Sequence, residues 1–468
     1  MMPPRLVVRE IAFFERPVNF VRPFRFGAVV IDATPQAFVR VEIEVEGKGT
    51  SVGASAELLV PKWFDKRPQL SPEQTVSELR RSLLIAREFY LSHRTFETAF
   101  ALHAGCIAAQ LDACAKQDIP PLAAGYGPAE IDKAVLDALL RCCQINFFDG
   151  MAGNIAGLDA SLTPDLRDED VAQFLARCRR VERVAIRHTV GLDDKIEGKG
   201  GVADADENAG ARYFKLKLNG DPNHDVARLT RIGRELLTLP HDYRVTLDAN
   251  EQYADLAALG ALADRLDRDA ELAPIAEKLL YIEQLMPREM TSRTPLGALA
   301  ERDFIIDEAD DSYQAFPAAR ALGYRGISSK SCKGIYKSIL NATRAAKWSA
   351  GGDKYFITAE DLTCQAGLSV QQDLALGALI GVTHAERNGH HYVDGFAETP
   401  AAESERFLSA HPDLYARDGN SVRLAVHAGD LLTGSLTAPG FATGAHPLWS
   451  TLSPLDQPEL KNAKEQVT

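Results

Sequence analysis

Two lysines, Lys215 and Lys217, stand two residues apart in the segment Tyr213-Phe214-Lys215-Leu216-Lys217-Leu218, where apolar and cationic residues alternate. A period of two puts both ammonium groups on one face of a strand. On an exposed edge such lysines only discourage edge pairing. Facing one pocket, they require anions close by. The chain supplies those anions in order. The apolar run Arg244-Val245-Thr246-Leu247 ends in Asp248-Ala249-Asn250, Leu280-Tyr281-Ile282 ends in Glu283-Gln284, and Phe304-Ile305-Ile306 ends in Asp307-Glu308. A further strand, at Gly326–Ser329, ends in Lys330.

Each acid taken alone reads first as the N-cap of the helix that follows. Taken together, Asp248, Glu283 and Asp307 at successive strand ends converge on one barrel mouth. Hard oxygen donors that leave positions open describe a Mg²⁺ site, with Mn²⁺ as a substitute. No cluster of His or Cys at zinc spacing competes with it in the sequence. Glu308, one residue out of phase with Asp307, is expected to point away.

The elements that must carry these residues follow from the same patterns. Arg5–Phe14 reads as a first strand. In Phe38–Val45, Val39, Val41, Ile43 and Val45 face one way and Arg40, Glu42 and Glu44 the other, as in a sheet covered on one side. Val21–Gly27 reads as an aromatic and basic loop. Ser71-Pro72-Glu73 opens a helix with Pro at its first position. Further helices are expected over Glu97–Ala115 and Pro128–Phe148. From Asp168 on, helices alternate with strands at Arg183–Val190, Tyr213–Leu218, Tyr243–Leu247, Leu279–Ile282, Phe304–Ile306, Gly326–Ser329, Tyr355–Thr358 and Ala378–Thr383, the rhythm of a parallel barrel. The charged, glycine-rich stretch Leu192–Arg212 is a long loop at a strand end. The expected organisation is an α+β domain over 1–150, a (β/α) barrel over 151–390, and a segment 391–468 that packs back on the first domain.

Bulk properties narrow the partners. The chain has 468 residues, 46% hydrophobic and 25% charged, as in a globular protein of more than one domain. A net charge of −13 is the wrong sign for a nucleic-acid footprint. Cys106, Cys114, Cys142, Cys143, Cys178, Cys332 and Cys364 form no C-x-x-C pair and are odd in number, which favours a reducing compartment. There is no apolar signal core at the N-terminus and no uncharged run of membrane-spanning length. The expectations are a cytoplasmic location and no nucleic-acid or membrane partner.

The ordered series Lys215-Leu216-Lys217, Asp248-Ala249-Asn250, Glu283-Gln284, Asp307-Glu308 and Lys330-Ser331-Cys332-Lys333-Gly334-Ile335 resembles the enolase superfamily. The lysine ending the sixth strand is similar to the muconate-lactonising subgroup. The mandelate-racemase subgroup instead has a histidine after the seventh strand and an aspartate on the sixth. The resemblance implies a modified TIM barrel of (β/α)7β type, with an N-terminal α+β capping domain completed by the C-terminal tail. It also implies Mg²⁺ on Asp248, Glu283 and Asp307, removal of the proton α to the carboxylate of a small-molecule substrate through an enediolate, and assembly as a homo-oligomer. Lys217 would be the base on one face, Lys330 the acid, base or cation on the other, and Lys215 a neighbour that disfavours a second positive charge. Racemisation or epimerisation, cycloisomerisation and syn elimination share that half-reaction. Two departures stand out: Leu285-Met286-Pro287 replaces the Pro that often follows Glu-Gln, and one glycine, Gly334, stands where two are common.

Secondary candidates complete the reading. Arg22, Arg25 and Phe26 either close over the substrate or form a packed loop. Glu360 and Asp361, after the seventh strand, either contact substrate or cap a helix. His384, His390 or His391 in the site would favour an acid-sugar dehydratase. Lys333 and Lys337 are expected to be solvated, and Gly198–Gly201 lacks the strand-to-helix context of a phosphate loop. The rival from outside enzymes is a non-catalytic barrel that binds a ligand, which predicts a broken set of acids.

Overall fold

The structure is a computed structural model that describes residues 2–26, 29–362, 365–387 and 390–455. Three antiparallel strands open the chain: β1 (Leu6–Phe26), β2 (Val29–Val45) and β3 (Gly49–Leu58). The alternation in β2 does what its pattern demands: Val39, Val41, Ile43 and Val45 are all buried. Each such side chain is stabilising by roughly 1.5–3 kcal/mol. The helices Pro72–Ser92, Ala99–Ala115 and Tyr126–Cys142 follow. Ser71 caps the first of them in a capping box with Gln74. The Tyr126–Cys142 helix lies so close on β3 that a Cβ on Gly53 would meet Ala134 O at 2.1 Å. Only glycine permits that approach.

The first strand runs far beyond Phe14. The stretch Val21–Phe26, expected as a loop, is the outer end of β1 in a long hairpin, with Phe24 opposite Ile31 and Phe26 opposite Val29; Gly27 lies outside the described residues. The prolines at 17 and 23 are tolerated because, among the described residues, β1 is paired on its other side only at Leu6, Phe13, Phe14, Glu15, Phe20 and Val21, so a missing N–H at either proline costs no ladder bond on that side.

Eight parallel strands form the second body: β4 (Arg183–Val190), β5 (Tyr213–Lys217), β6 (Arg244–Asp248), β7 (Leu279–Glu283), β8 (Phe304–Ile306), β9 (Gly326–Ser329), β10 (Phe356–Ala359) and β11 (His384–Glu386). They pair in sequence order, and β11 pairs with β4, so the sheet closes into a barrel. The last strand corrects the sequence reading. Ala378–Leu379 ends the helix Leu368–Leu379, Gly381 turns the chain at φ 85°, and the strand begins only at His384. A short apolar run has no period that separates a buried helix end from a strand.

The C-terminal segment touches both bodies. It contains the helix Ala401–Ala410, a hairpin of β12 (Tyr415–Asp418) and β13 (Ser421–Leu424), then β14 (Asp430–Leu432) and β15 (Ser453–Pro454). Strand β15 pairs with β1, and Glu403 accepts a buried two-pronged ion pair from Arg16. Strand β14 adds antiparallel to the start of β4. The described cysteines are free. Among the described residues no helix is long and apolar enough to cross a membrane.

Candidate active site

Side chains that end the barrel strands meet at the mouth. Lys215 and Lys217, alternate residues of β5, both point inward and are buried. Lys215 Nζ reaches four strand ends: Glu360 Oε1 at 2.6 Å, Glu386 Oε2 at 2.8 Å, and Asp248 Oδ2 and Glu283 Oε2 at 3.0 Å each. Burial alone would depress its pKa, but these carboxylates outweigh burial and raise it well above the ordinary lysine value. Lys215 is therefore a neutralised cation, not the free charge that the sequence reading set beside Lys217. Lys217 Nζ meets Asp248 Oδ2 at 2.5 Å and Asn250 Oδ1 at 2.8 Å. Lys330 stands on the sixth strand end, against Asp307 at 2.7 and 2.8 Å and Glu360 Oε2 at 2.6 Å. It too is raised, because Asp307 and Glu360 overcome the effect of burial.

The carboxylates respond in kind. Asp248 is fully buried, yet Lys215 and Lys217 hold it down at about 2. Glu360 is held well below its usual value against burial by Lys215 and Lys330. Glu283 goes the other way. Burial and the neighbouring Glu360 raise it well above the carboxylate range, although Lys215 Nζ stands 3.0 Å from its Oε2. Ligand oxygens of Glu283, Asp307 and Glu360 all lie within 4.8 Å of one another. Three buried carboxylates from separate strand ends, at that spacing, fit a hard divalent cation. Asp248 is outside this trio, tied to the two β5 lysines, and Glu360 comes closer than the sequence suggested. Glu308 faces away from the trio and takes Lys66 at 2.9 Å and Asn250 Nδ2 at 3.1 Å.

The backbone is bent to aim these groups. Asn250, Glu251 and Gln284 all have positive φ, at 44°, 72° and 36°, conformations that non-glycine residues hold only when surroundings impose them. The Gln of the Glu-Gln pair fixes the next strand end: Gln284 Oε1 accepts from the amides of Asp307 and Ala309 at 2.9 and 3.1 Å.

The cap roofs the mouth. Phe24, Phe26, Val60 and Trp63 face Lys217, Asp307, Lys330, Glu360 and Asp361 across a cavity of about 30 Å³, room for little more than a water. Trp63 lies over Lys330, Nζ to ring centroid 5.0 Å. Phe26 thus belongs to the roof. Arg22 and Arg25 do not: they pair with Glu207 and Asp193 of the Leu192–Arg212 stretch, outside the mouth. Their charge complements that acidic stretch instead. Asp361 faces the cavity and Arg387 at 3.6 Å.

The histidines do not line this cavity. His384 is half-buried at the start of β11, stacked on Tyr213, with Nδ1 2.9 Å from Arg187. His390 and His391 gather around His188. Lys333 and Lys337 are not solvated. Both are buried, Lys333 on Asp307 at 3.1 Å and Lys337 on Asp310 at 3.0 Å, since the turn after Lys330 folds under the mouth. Sequence reasoning missed Glu386, Arg187, Trp63 and Lys66. Glu386 was hidden by the misplaced eighth strand; the two cap residues carry no local signal.

No family model matches the chain, and no curated protein matches it. Solved structures do. A mandelate racemase/muconate lactonizing protein from Herpetosiphon aurantiacus aligns with TM-score 0.60 at 17% identity, over 94% of this chain and 99% of that one. A dipeptide epimerase from Enterococcus faecalis, complexed with Mg and the dipeptide L-Leu-L-Tyr, aligns with TM-score 0.59 at 14% identity, over 94% and 100%. A 2-chloromuconate cycloisomerase from Rhodococcus opacus aligns with TM-score 0.57 at 16% identity, over 94% and 97%. The chain shares the fold of these enolase-superfamily structures: a capped parallel barrel.

Proposed function

We propose that this chain is a Mg²⁺-dependent enzyme of the enolase superfamily that abstracts the proton α to the carboxylate of a small molecule. One observation carries the reading: two buried lysines, Lys217 and Lys330, line one cavity from the second and sixth of eight strands, with the acids of the intervening strands between them. Glu283, Asp307 and Glu360, with Asp248 beside them, would hold the cation. When bound, it supplies electrostatic stabilisation to the carboxylate oxygens as charge develops there.

The remaining work falls to the chain. Lys217 accepts the α-proton on one face of the substrate carbon, and Asn250 keeps its amine aimed once Asp248 is otherwise engaged. Lys330 serves the opposite face. In a 1,1-proton transfer it returns a proton there; in cycloisomerisation or syn elimination it acts as a cation only. Trp63 and Phe26 exclude water above the carbon. The likeness to a dipeptide epimerase and a cycloisomerase supports this reaction class, and the intact acid set disfavours a binding-only barrel.

The test is a panel of dipeptides, N-acyl amino acids and acid sugars in D₂O with Mg²⁺, read by NMR for loss of the α-proton signal. Lys330→Ala is expected to keep exchange of one enantiomer and Lys217→Ala that of the other if the reaction is an epimerisation. If it is an elimination or cycloisomerisation, only one of the two loses exchange. Wild-type turnover in both variants refutes the opposed-lysine mechanism.

A further inference from the structure

We propose that His188, Glu207 and His391 form a second divalent-metal site, of zinc type, that staples the Leu192–Arg212 stretch to the barrel rim. The three come from separate parts of the chain. His188 is on β4, Glu207 is in the short helix Ala205–Asn208 of the inserted stretch, and His391 follows β11. Each offers a ligand atom, and the three atoms all lie within 4.8 Å of one another. Tetrahedral zinc needs its donors about 3.3 Å apart, a closure within reach of side-chain rotation. His391 Nδ1 is already 3.1 Å from Glu207 Oε1, and the His188 and His391 rings sit 4.8 Å apart.

A hydrogen-bonded histidine cluster would leave its ring nitrogens partnered. Here His391 Nε2 is buried and makes no hydrogen bond. The surroundings also suit a metal. His390 Nε2 stands 3.5 Å from His188 Nδ1, available to complete the shell or orient it. Asp194 Oδ2 lies 4.0 Å from His391 Nε2 and is itself fixed by the Gly191 amide and the Tyr392 hydroxyl. Two imidazoles and one carboxylate are borderline ligands that favour zinc over the hard cation of the barrel mouth.

The site explains what the insertion is tied to. Arg22 at the hairpin end grips both oxygens of Glu207, and Arg25 grips Asp193. A metal on Glu207 would therefore pin insertion, barrel and cap hairpin together beside the mouth, whatever the mouth catalyses. Arg22 opposes the metal electrostatically, which makes it a diagnostic position.

The experiment uses the full chain, freed of metal by chelation and supplied with excess Mg²⁺. ZnCl₂ is titrated by calorimetry, and Co²⁺ absorption reports the geometry. The expected result is about one equivalent of Zn²⁺ that Mg²⁺ does not displace. His188→Gln, Glu207→Gln and His391→Asn should each weaken it by about 100-fold or more, and Glu283→Gln should leave it unchanged. Arg22→Met should tighten it. Zn²⁺ should also slow tryptic cleavage after the exposed Lys195 and Lys199 by about tenfold. Where a histidine variant fails to fold, Glu207→Gln and Arg22→Met still decide. No Zn²⁺ equivalent under Mg²⁺, or one that survives Glu207→Gln or is weakened by Arg22→Met, overturns the proposal.

Discussion

Glu251 ties the cap to the barrel, and its titration gives a measurable size to that tie. The residue follows Asn250 at the end of β6. It receives Lys66 of the cap at 2.6 Å and a two-pronged pair from Arg288. Arg288 in turn donates to the carbonyls of Trp63 and Phe64 at 3.0 and 2.9 Å, so one carboxylate anchors the segment that roofs the mouth. Burial would raise the Glu251 pKa, but Lys66 and Arg288 bring it down from 4.5 to about 2. A depressed acid stabilises the folded state above its unfolded pKa and loses that contribution as pH falls through its folded value. The shift corresponds to about 3 kcal/mol at neutral pH, lost between about pH 5 and about pH 2 with a slope of about 1.4 kcal/mol per pH unit. Urea unfolding followed by tryptophan fluorescence across pH 2.5–7 measures it. Trp63 is buried beside the anchor, so its share of the emission reports release of the cap. Glu251→Gln should cost about 3 kcal/mol at pH 7 and flatten the acid limb. An acid limb as steep in Glu251→Gln as in the parent would show that Glu251 does not anchor the cap.

Three further outcomes are expected. Gly53→Ala puts a Cβ 2.1 Å from Ala134 O and 2.3 Å from Ala138 N, so it should destabilise the cap by about 3 kcal/mol or more in thermal unfolding; an unchanged melting temperature would contradict that packing. Gln284→Leu strands the amides of Asp307 and Ala309 and should weaken Mg²⁺ binding by about tenfold in calorimetry. Trp63→Ala removes the ring over Lys330 and should lower kcat/KM on the panel's best substrate by about tenfold, with equal rates arguing that the roof does not touch substrate.

How far the sequence alone reaches depends on the range of the interaction. The period of β5 and the acids at the ends of β6, β7 and β8 are local signals, because a barrel strand carries its inward residues at alternate positions and its active group at its end. The buried valines of β2 were legible for the same reason. What was not legible depends on the folding of distant segments onto one another. Lys66 and Trp63 reach the site from a cap loop, and Lys333 turns under Asp307, so each looks like an ordinary surface residue in its own neighbourhood. His188, Glu207 and His391 are scattered across about 200 positions, and only the closure of β11 onto β4 brings two of them together. Arg22 and Arg25 left two readings open in the sequence, closing over the substrate or packing as a loop, and their pairing with Glu207 and Asp193 of the distant inserted stretch had no local signal.

The two β5 lysines show how identical residues on one face acquire different work. Lys215 sits one pair of residues deeper, where β6, β7, β10 and β11 each direct a carboxylate inward, and it is balanced by all four. Arg187 from β4 adds a further cation on Glu360 at 3.2 Å. Replacing Lys215 would therefore leave several buried acids short of a counter-charge, a change that reaches every strand around the mouth. Lys217 is at the strand's end and has two partners, Asp248 and Asn250, one of them neutral. It faces the cavity with Lys330 on the far side. On the proposed mechanism, depth in the barrel separates a cation that holds the acids in place from an amine that exchanges a proton with a bound molecule. That separation explains why a strand with alternating lysines, unremarkable on a sheet edge, suits the inside of a closed barrel.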